Sequence, residues 1–336
     1  MNNHRHPLVT VKNLVKRFTI HEPGLFRRKH ISVDALNDVS ITIQRGKTVS
    51  VVGESGSGKT TLAKIIALLI NPDQGTVVIE GSDTRSLSKR KLKSLRRKIH
   101  LIFQDPYSSL NPRLSVGDII MEPLIIQNIG SHVSRLNSVA EVLQEVGMQT
   151  GDINKYPHQF SGGQRQRIAI ARAIVAKPEL IIADEPLSAL DVSIQSQIIN
   201  LLITLKQHHN LTYFFISHDL SVVSYLSDYV IVIFQGHVVE SGPAESVFRM
   251  PLHPYTRLLI SAAPKLGKRK HRSFAQFSLD TDVKSNRYSA CPFYVRCPKA
   301  QEICHFRSPF PLAEAHFLAE HIVACHFPGD ALKLTS

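Results

Sequence analysis

Residues 53–60 read Gly-Glu-Ser-Gly-Ser-Gly-Lys-Thr, the pattern G-x-x-x-x-G-K-[ST] of a phosphate-binding loop. In such a loop the glycines let backbone N–H groups turn inward around phosphate oxygens. The helix that follows adds its positive N-terminal end. Lys59 would reach the β- and γ-phosphates of a nucleotide, and Thr60 would ligate Mg²⁺. Gly53, Glu54, Ser55, Gly56, Ser57, Gly58, Lys59, Thr60 and Thr61 are therefore candidate nucleotide contacts. Hydrolysis needs more than a cradle. Asp184 and Glu185 stand as adjacent carboxylates at the end of the apolar run 180–183. Side chains alternate along a strand, so neighbouring acids point differently and can take different tasks. Asp184 is expected to hold Mg²⁺ through water, and Glu185 to polarise the attacking water as general base. Gln104 could contact Mg²⁺ or that water, and His218 could hydrogen-bond a γ-phosphate oxygen. Ser161, Gly162, Gly163 and Gln164 supply a second anion site, a serine N-cap followed by N–H groups exposed at a helix start.

These residues need a frame that brings them together. Runs 48–52, 99–103, 180–183, 213–216 and 229–234 read as buried strands. Helical patterns separate them, at 59–69 (with Leu62, Ile65, Ile66 and Leu69 on one face), 163–176 and 193–208. Such alternation predicts a mostly parallel sheet with helices on both faces. Gly53, Gln104, Asp184 and His218 then all follow the C-terminal ends of strands, the edge where open α/β sheets bind ligands. Residues 8–18 and 33–43 look like antiparallel strands around a loop containing Gly24 and Arg27. Residues 106–160 carry no strand pattern and suggest a helical subdomain. After Pro264 the composition becomes basic and polar, suggesting a solvated linker and then a Cys-, Pro- and His-containing tail.

The bulk properties narrow the class. At 336 residues the chain can hold one large domain and a smaller appendage. It has no apolar run of about 18 residues, and its first residues lack the apolar core of a secretory signal. The expectation is a cytosolic protein, or one attached to a membrane from the cytosolic side. Net charge is +13, and residues 85–98 hold eight basic side chains without an acidic one. Leu87, Leu92 and Leu95 stripe that segment, which reads first as a helix with a solvated basic face. Attraction to an anionic leaflet is a second reading. Without aromatics to stack on bases, a nucleic-acid partner is not expected.

Phe160–Gln164 resembles the signature segment of ATP-binding-cassette (ABC) proteins, with Phe160 where Leu is usual; Ser188-Ala-Leu-Asp191 resembles their D-loop, and His218 their H-loop. The resemblance covers about residues 8–260. It implies an α/β P-loop cassette with N-terminal antiparallel strands and a helical subdomain of about residues 106–176. It also implies a head-to-tail dimer with a second cassette, either a sister subunit or another copy. Each ATP, with Mg²⁺, would lie between Gly53–Thr60 of one subunit and Ser161–Gln164 and Asp191 of the other. Two transmembrane permease subunits and, indirectly, an extracytoplasmic binding protein would be the partners, with this chain peripheral on the cytoplasmic face. The family's adenine-stacking aromatic would be Phe18. Residues 104–117, 253–264 and the tail look like the peptide/nickel branch of importers, and 104–117 most like its oligopeptide/dipeptide F-type ATPase subunit. The implied domains are 1–264 for the ATPase, 265–284 for the linker and 285–336 for the extension. The implied function is ATP-driven import of oligopeptides or dipeptides, with nickel or antimicrobial-peptide transport as alternatives. DNA-repair cassettes carry long insertions between phosphate loop and signature, whereas about a hundred residues without heptads separate Thr60 from Ser161 here. Translation-type cassettes normally have two phosphate loops per chain.

Cys291, Cys297, Cys304 and Cys325 are the only cysteines, all within the last 46 residues. A cytosolic setting argues against disulfides. Their spacings of 5, 6 and 20 intervening residues do not match the usual zinc pairs. Four thiolates could hold an iron–sulfur cluster, and the branch resemblance implies [4Fe–4S] there; zinc and free thiols are the alternatives.

Overall fold

Short runs of valine, isoleucine and phenylalanine form the centre of the molecule, because only strands covered on both faces can be apolar throughout. The computed structural model describes residues 6–22, 29–105, 109–262, 290–309, 312–313 and 320–329. The loop around Gly24 and Arg27, the 265–284 linker and residues 106–108 of the 104–117 stretch lie outside these. Strands β1 (Val9–Glu22) and β2 (Lys29–Ile43) pair antiparallel, and with β4 (Gln74–Ile79) and β5 (Ser82–Asp83) make a four-stranded sheet. The main sheet has β3 (Thr48–Val52) at its centre, beside β8 (Thr212–Ile216) and β9 (Tyr229–Phe234). Beyond β8 come β7 (Leu180–Asp184) and β6 (Ile99–Ile102), and all five of these strands run parallel. The expected strands and their parallel order are thus present, with ends shifted by a residue.

Helix α1 (Lys59–Ile66) follows the phosphate loop directly. It stops short of the expected Leu69, because Leu68 adopts φ +59° and the chain turns away. Leu62, Ile65 and Ile66 are fully buried against the sheet. Helix α2 (Lys89–Arg96) is the basic stretch, capped by Ser88 and seated through Leu95. Part of its charge is structural. Arg96 donates to the Leu68 carbonyl at 2.9 Å, and Lys98 pairs with Glu80 at 2.7 Å and Glu179 at 2.8 Å. Burial raises the Glu80 pKa, but hydrogen bonds from Lys98 and Arg45 outweigh it and bring the carboxyl down to about 2. This network ties the small sheet to the lower end of the main one.

Helices α3 (Val116–Gln127) and α4 (His132–Glu145) form the helical region, each begun by a serine cap, Ser115 and Ser131. They share a core with α5 (Gly162–Ile174) and α6 (Val192–His209). Beyond β9 the main sheet continues antiparallel through β10 (His237–Pro243), β12 (Ile322–Val323) and β11 (Leu312–Ala313). The cysteine-containing tail therefore extends the ATPase sheet itself. Cys291, Phe293 and Cys304 pack in one core with Val230, Val232, Phe234 and Tyr255.

Candidate active site

At the end of β3 the chain meets its neighbour strand so closely that only glycine fits. Gly53 has φ +153°, and a Cβ there would lie 2.1 Å from the Ile233 carbonyl oxygen of β9. Gly58, at φ +107°, is pressed against the Ala35 carbonyl in the same way, at 2.3 Å. Between these two points the loop wraps the Lys59 ammonium, which donates to the carbonyls of Gly53 at 2.9 Å and Glu54 at 2.7 Å. Lys59 is buried, and burial pulls its pKa down against the attraction of Glu185, Asp184 and Glu54. The Ser57 hydroxyl is buried without a hydrogen-bond partner among the described residues.

Asp184 closes β7, and its Oδ1 accepts from the Thr60 hydroxyl at 3.3 Å. Burial pushes the Asp184 carboxyl upward, while the Thr60 bond works against it. Two hard oxygen donors side by side next to a buried lysine suit Mg²⁺. Glu185 leaves the strand at φ +47°, with its N–H donating to the Ile216 carbonyl at 3.0 Å. The two carboxylates keep different partners, Asp184 the Thr60 hydroxyl and Glu185 the groups that follow, while Glu185 stays close enough to push the Asp184 carboxyl further upward. Oε2 of Glu185 receives both remaining groups: Gln104 Nε2 at 3.1 Å and His218 Nδ1 at 3.2 Å. Four segments far apart in the chain thus meet at one sheet edge.

Ser161 caps α5 and accepts from the Gln164 N–H at 3.4 Å, while the Gln164 side chain accepts from the Ser161 N–H at 3.0 Å. Gly162 and Gly163 face Leu190 and Ile194, so the helix start lies beside the Ser188–Asp191 loop. Gln195 fixes that loop by donating to the Leu187 and Leu190 carbonyls at 3.1 and 3.0 Å. Asp191 is the exposed N-cap of α6. Ser55, Gly56 and Thr60 are exposed at the mouth of the loop, beside half-buried Thr61. Phe18 sits on β1 opposite Val33, with Lys16 Nζ 5.4 Å from its ring centre.

Two residues at the loop escaped sequence reasoning. The Glu54 N–H donates to the Tyr255 hydroxyl at 2.9 Å. The Glu54 carboxylate is gripped by Arg296, Nη1 to Oε2 at 2.9 Å and Nη2 to Oε1 at 2.8 Å. Both partners fall in stretches that stood out in the sequence only through resemblance, and no local pattern links them to the phosphate loop.

None of the four cysteines forms a disulfide, and Cys297, Cys304 and Cys325 all stand near Cys291. The Cys291 N–H donates to the Cys304 carbonyl at 3.0 Å. Burial, reinforced by Cys304, Cys297 and Cys325, pushes the Cys291 thiol up to about 11. Among the described residues, however, no three of His, Cys, Asp or Glu stand in an arrangement that could hold a metal ion.

This constellation on a parallel sheet with an added antiparallel sheet is that of a nucleotide-hydrolysing cassette, and comparison with known proteins gives it a family. The ABC transporter family model matches residues 36–188, and that of the oligopeptide/dipeptide transporter C-terminal region matches 239–304. The di/tripeptide transport ATP-binding protein DppF of Pseudomonas aeruginosa is 42% identical over 319 residues, covering 95% of this chain and 97% of its own. The oligopeptide transport ATP-binding protein AppF of Bacillus subtilis is 44% identical over 322 residues, with 95% and 97% covered. Among solved structures, the dimeric bacterial ABC transporter cassette MJ0796 aligns with TM-score 0.62 at 33% identity, covering 70% of this chain and 98% of that one. The chain belongs to the ABC transporter family, on its ATP-binding side, and is an ATPase that uses ATP with Mg²⁺. Among the described residues no helix is long and apolar enough to cross a membrane.

Proposed function

We propose that this chain is the ATP-hydrolysing subunit of an importer for oligopeptides or dipeptides, held peripherally at the cytoplasmic face of the membrane. The observation that carries it is the union, in one chain, of the groups gathered at Glu185 with a region resembling that of oligopeptide/dipeptide transporters. On this reading residues 1–264 are the motor, with its helical part at about 106–176. Residues 265–284 join it to a peptide-transporter-type extension, 285–336. Nickel or antimicrobial-peptide transport would use the same motor.

The residues divide the work as follows. N–H groups of Gly53–Thr61 cradle the phosphates, and Lys59 leaves its carbonyl partners to pair with the β- and γ-phosphates. Thr60 and Asp184, with Gln104 beside them, would hold Mg²⁺, which neutralises phosphate charge. Glu185 takes the proton of the attacking water through Oε1, because Gln104 and His218 already occupy Oε2. His218 then senses the γ-phosphate. Phe18 stacks on adenine.

Ser161–Gln164 and Asp191 complete the site from a second cassette, in the head-to-tail manner that the exposed α5 start allows. The MJ0796 cassette has been described as a dimer, including a post-hydrolysis state bound to ADP and Pi. Motion reaches the permeases through Gln104 and the helical region. In support, Arg172 of α5 donates to the Ser109 carbonyl at 2.7 Å, tying the signature helix to the segment after Gln104. Ile125, Ile126, Ile129 and Val133 form an exposed apolar group at the α3–α4 turn, fit to receive a membrane subunit.

We further infer that Cys291, Cys297, Cys304 and Cys325 hold a [4Fe–4S] cluster. Support comes from Cys291 and Cys304 sharing a core against which Cys297 packs, and from Cys325 standing near enough to act on the Cys291 thiol.

The test of the main reading is uptake of labelled di- and oligopeptides, beside nickel, in cells carrying the wild type or Glu185→Gln. Loss of peptide uptake alone is expected. Loss of nickel uptake instead would move the substrate, and loss of neither would overturn the importer assignment.

A further inference from the structure

A carboxylate is an unfavourable neighbour for a triphosphate, yet Glu54 is the second residue of the phosphate loop. Two unit charges of like sign a few ångströms apart near a protein surface repel by a meaningful amount, and nothing else in the loop offsets it except Lys59. The structure supplies the offset from 242 positions away, through both prongs of Arg296. A bidentate guanidinium–carboxylate pair is among the strongest and most directional charge contacts.

Arg296 is itself held firmly. It closes a short helical turn, Tyr294–Arg296, whose N–H bonds run back to Cys291 and Phe293. Its guanidinium carbon lies 5.6 Å from the centre of the Phe234 ring and 5.8 Å from that of Phe293. Phe234 ends β9, the strand that presses on Gly53, and Phe293 belongs to the cysteine core. Tyr255, on the helix Pro254–Ala262, packs on both rings and takes the Glu54 N–H with its hydroxyl. Backbone and side chain of Glu54 are therefore both anchored by the region that follows β10.

We propose that Arg296 is a positioning residue for nucleotide binding, neutralising and immobilising Glu54 so that the phosphate loop accepts the triphosphate. The inference rests on the ATPase reading and adds to it that the cysteine-containing tail is a working part of the ATP site. Removing the guanidinium leaves an unpaired negative charge beside the phosphates. Removing both charges relieves that repulsion.

The experiment is displacement of a fluorescent ATP analogue by ATP on the purified full-length chain. Arg296→Met keeps an apolar stem on the two rings and drops the charge; Arg296→Gln is read the same way should the Met variant not fold. The expected result is a roughly three- to tenfold weaker ATP affinity, in line with a partly exposed bidentate pair. Turnover at saturating ATP in the assembled transporter is expected to change by less than about twofold, so the effect falls on KM and not kcat. In a Glu54→Gln background the same Arg296 substitution is expected to change affinity by less than about twofold. Unchanged affinity in the single variant would overturn the proposal, as would an equal loss with and without Glu54. Lys59→Ala separates the two levels of the argument. If the wild type binds no ATP and Lys59→Ala does not differ from it, the ATPase reading fails; if the wild type binds and only Lys59→Ala weakens it, the Arg296 role alone fails.

Discussion

At Glu185 the two carboxylate oxygens face different demands. Oε2 accepts from Gln104 and lies 3.2 Å from His218 Nδ1, which fixes the side chain's direction, and Oε1 is left for water. Glutamine at 185 preserves shape and loses basicity. Glu185→Gln is therefore expected to bind ATP normally while turnover falls by roughly 10²–10⁴-fold, measured as phosphate release beside ATP binding on the same sample. Lys59 has the opposite profile, because its ammonium meets the nucleotide before any bond breaks. Its charge-assisted bonds, worth about 1.5–3 kcal/mol, predict that Lys59→Ala weakens ATP binding by roughly ten- to hundredfold. Lys59, Thr60, Asp184 and Glu185 were legible as candidates because strand ends and glycine spacing are local properties. Arg296 and Tyr255 were not, since their task is defined only by a contact made after folding.

At the scale of elements, the apolar runs revealed the five parallel strands because burial on both faces keeps them mostly apolar, with Thr48, Ser50 and Thr212 the small polar residues buried among them. Periodicity misjudged the end of α1, where an apolar repeat running on to Leu69 cannot by itself reveal a left-handed turn at Leu68 — the Leu68 side chain is buried either way. It also passed over β10, β11 and β12, whose short, mixed sequences gain their strand character from pairing with β9 and each other. The junction of β3 and α1 is the most constrained of these elements. A Gly53→Ala methyl would meet the Ile233 carbonyl at 2.1 Å and add positive-φ strain of about 1–3 kcal/mol. The expected outcome is a lower midpoint in urea unfolding together with weaker ATP binding. A variant with wild-type values of both would show that β9 can withdraw without cost.

The whole molecule is less divided than composition suggested. The shift after Pro264 pointed to a separate appendage, but Glu240 and Ser241 of β10 pair with Val323 and Ile322, and Arg296 reaches the phosphate loop. Buried Glu240 adds to the seam by accepting from the N–H groups of Leu252 and His253 at 2.8 Å and lying 2.8 Å from His321 Nε2. Long-range pairing of this sort leaves no trace in residue composition. The metal content of the tail belongs to this scale too, because the four thiols come from segments up to 34 residues apart. Anaerobically purified protein is expected to carry about four iron atoms and as many acid-labile sulfides per chain. Folded protein lacking both would leave the cysteines as a small thiol core and remove the cluster.

The strand that seals β10 has a consequence for handling and for survival in the cell. An open edge offers unpaired N–H and C=O groups to any other chain, and proteins usually hide such edges. Here the hiding is done by two residues of β12, backed by two of β11. Proteolytic loss of the tail would uncover β10 and bare the Phe234 and Tyr255 rings behind it. A clipped chain would therefore announce itself by self-association and precipitation while every one of its hydrolytic groups was still in place.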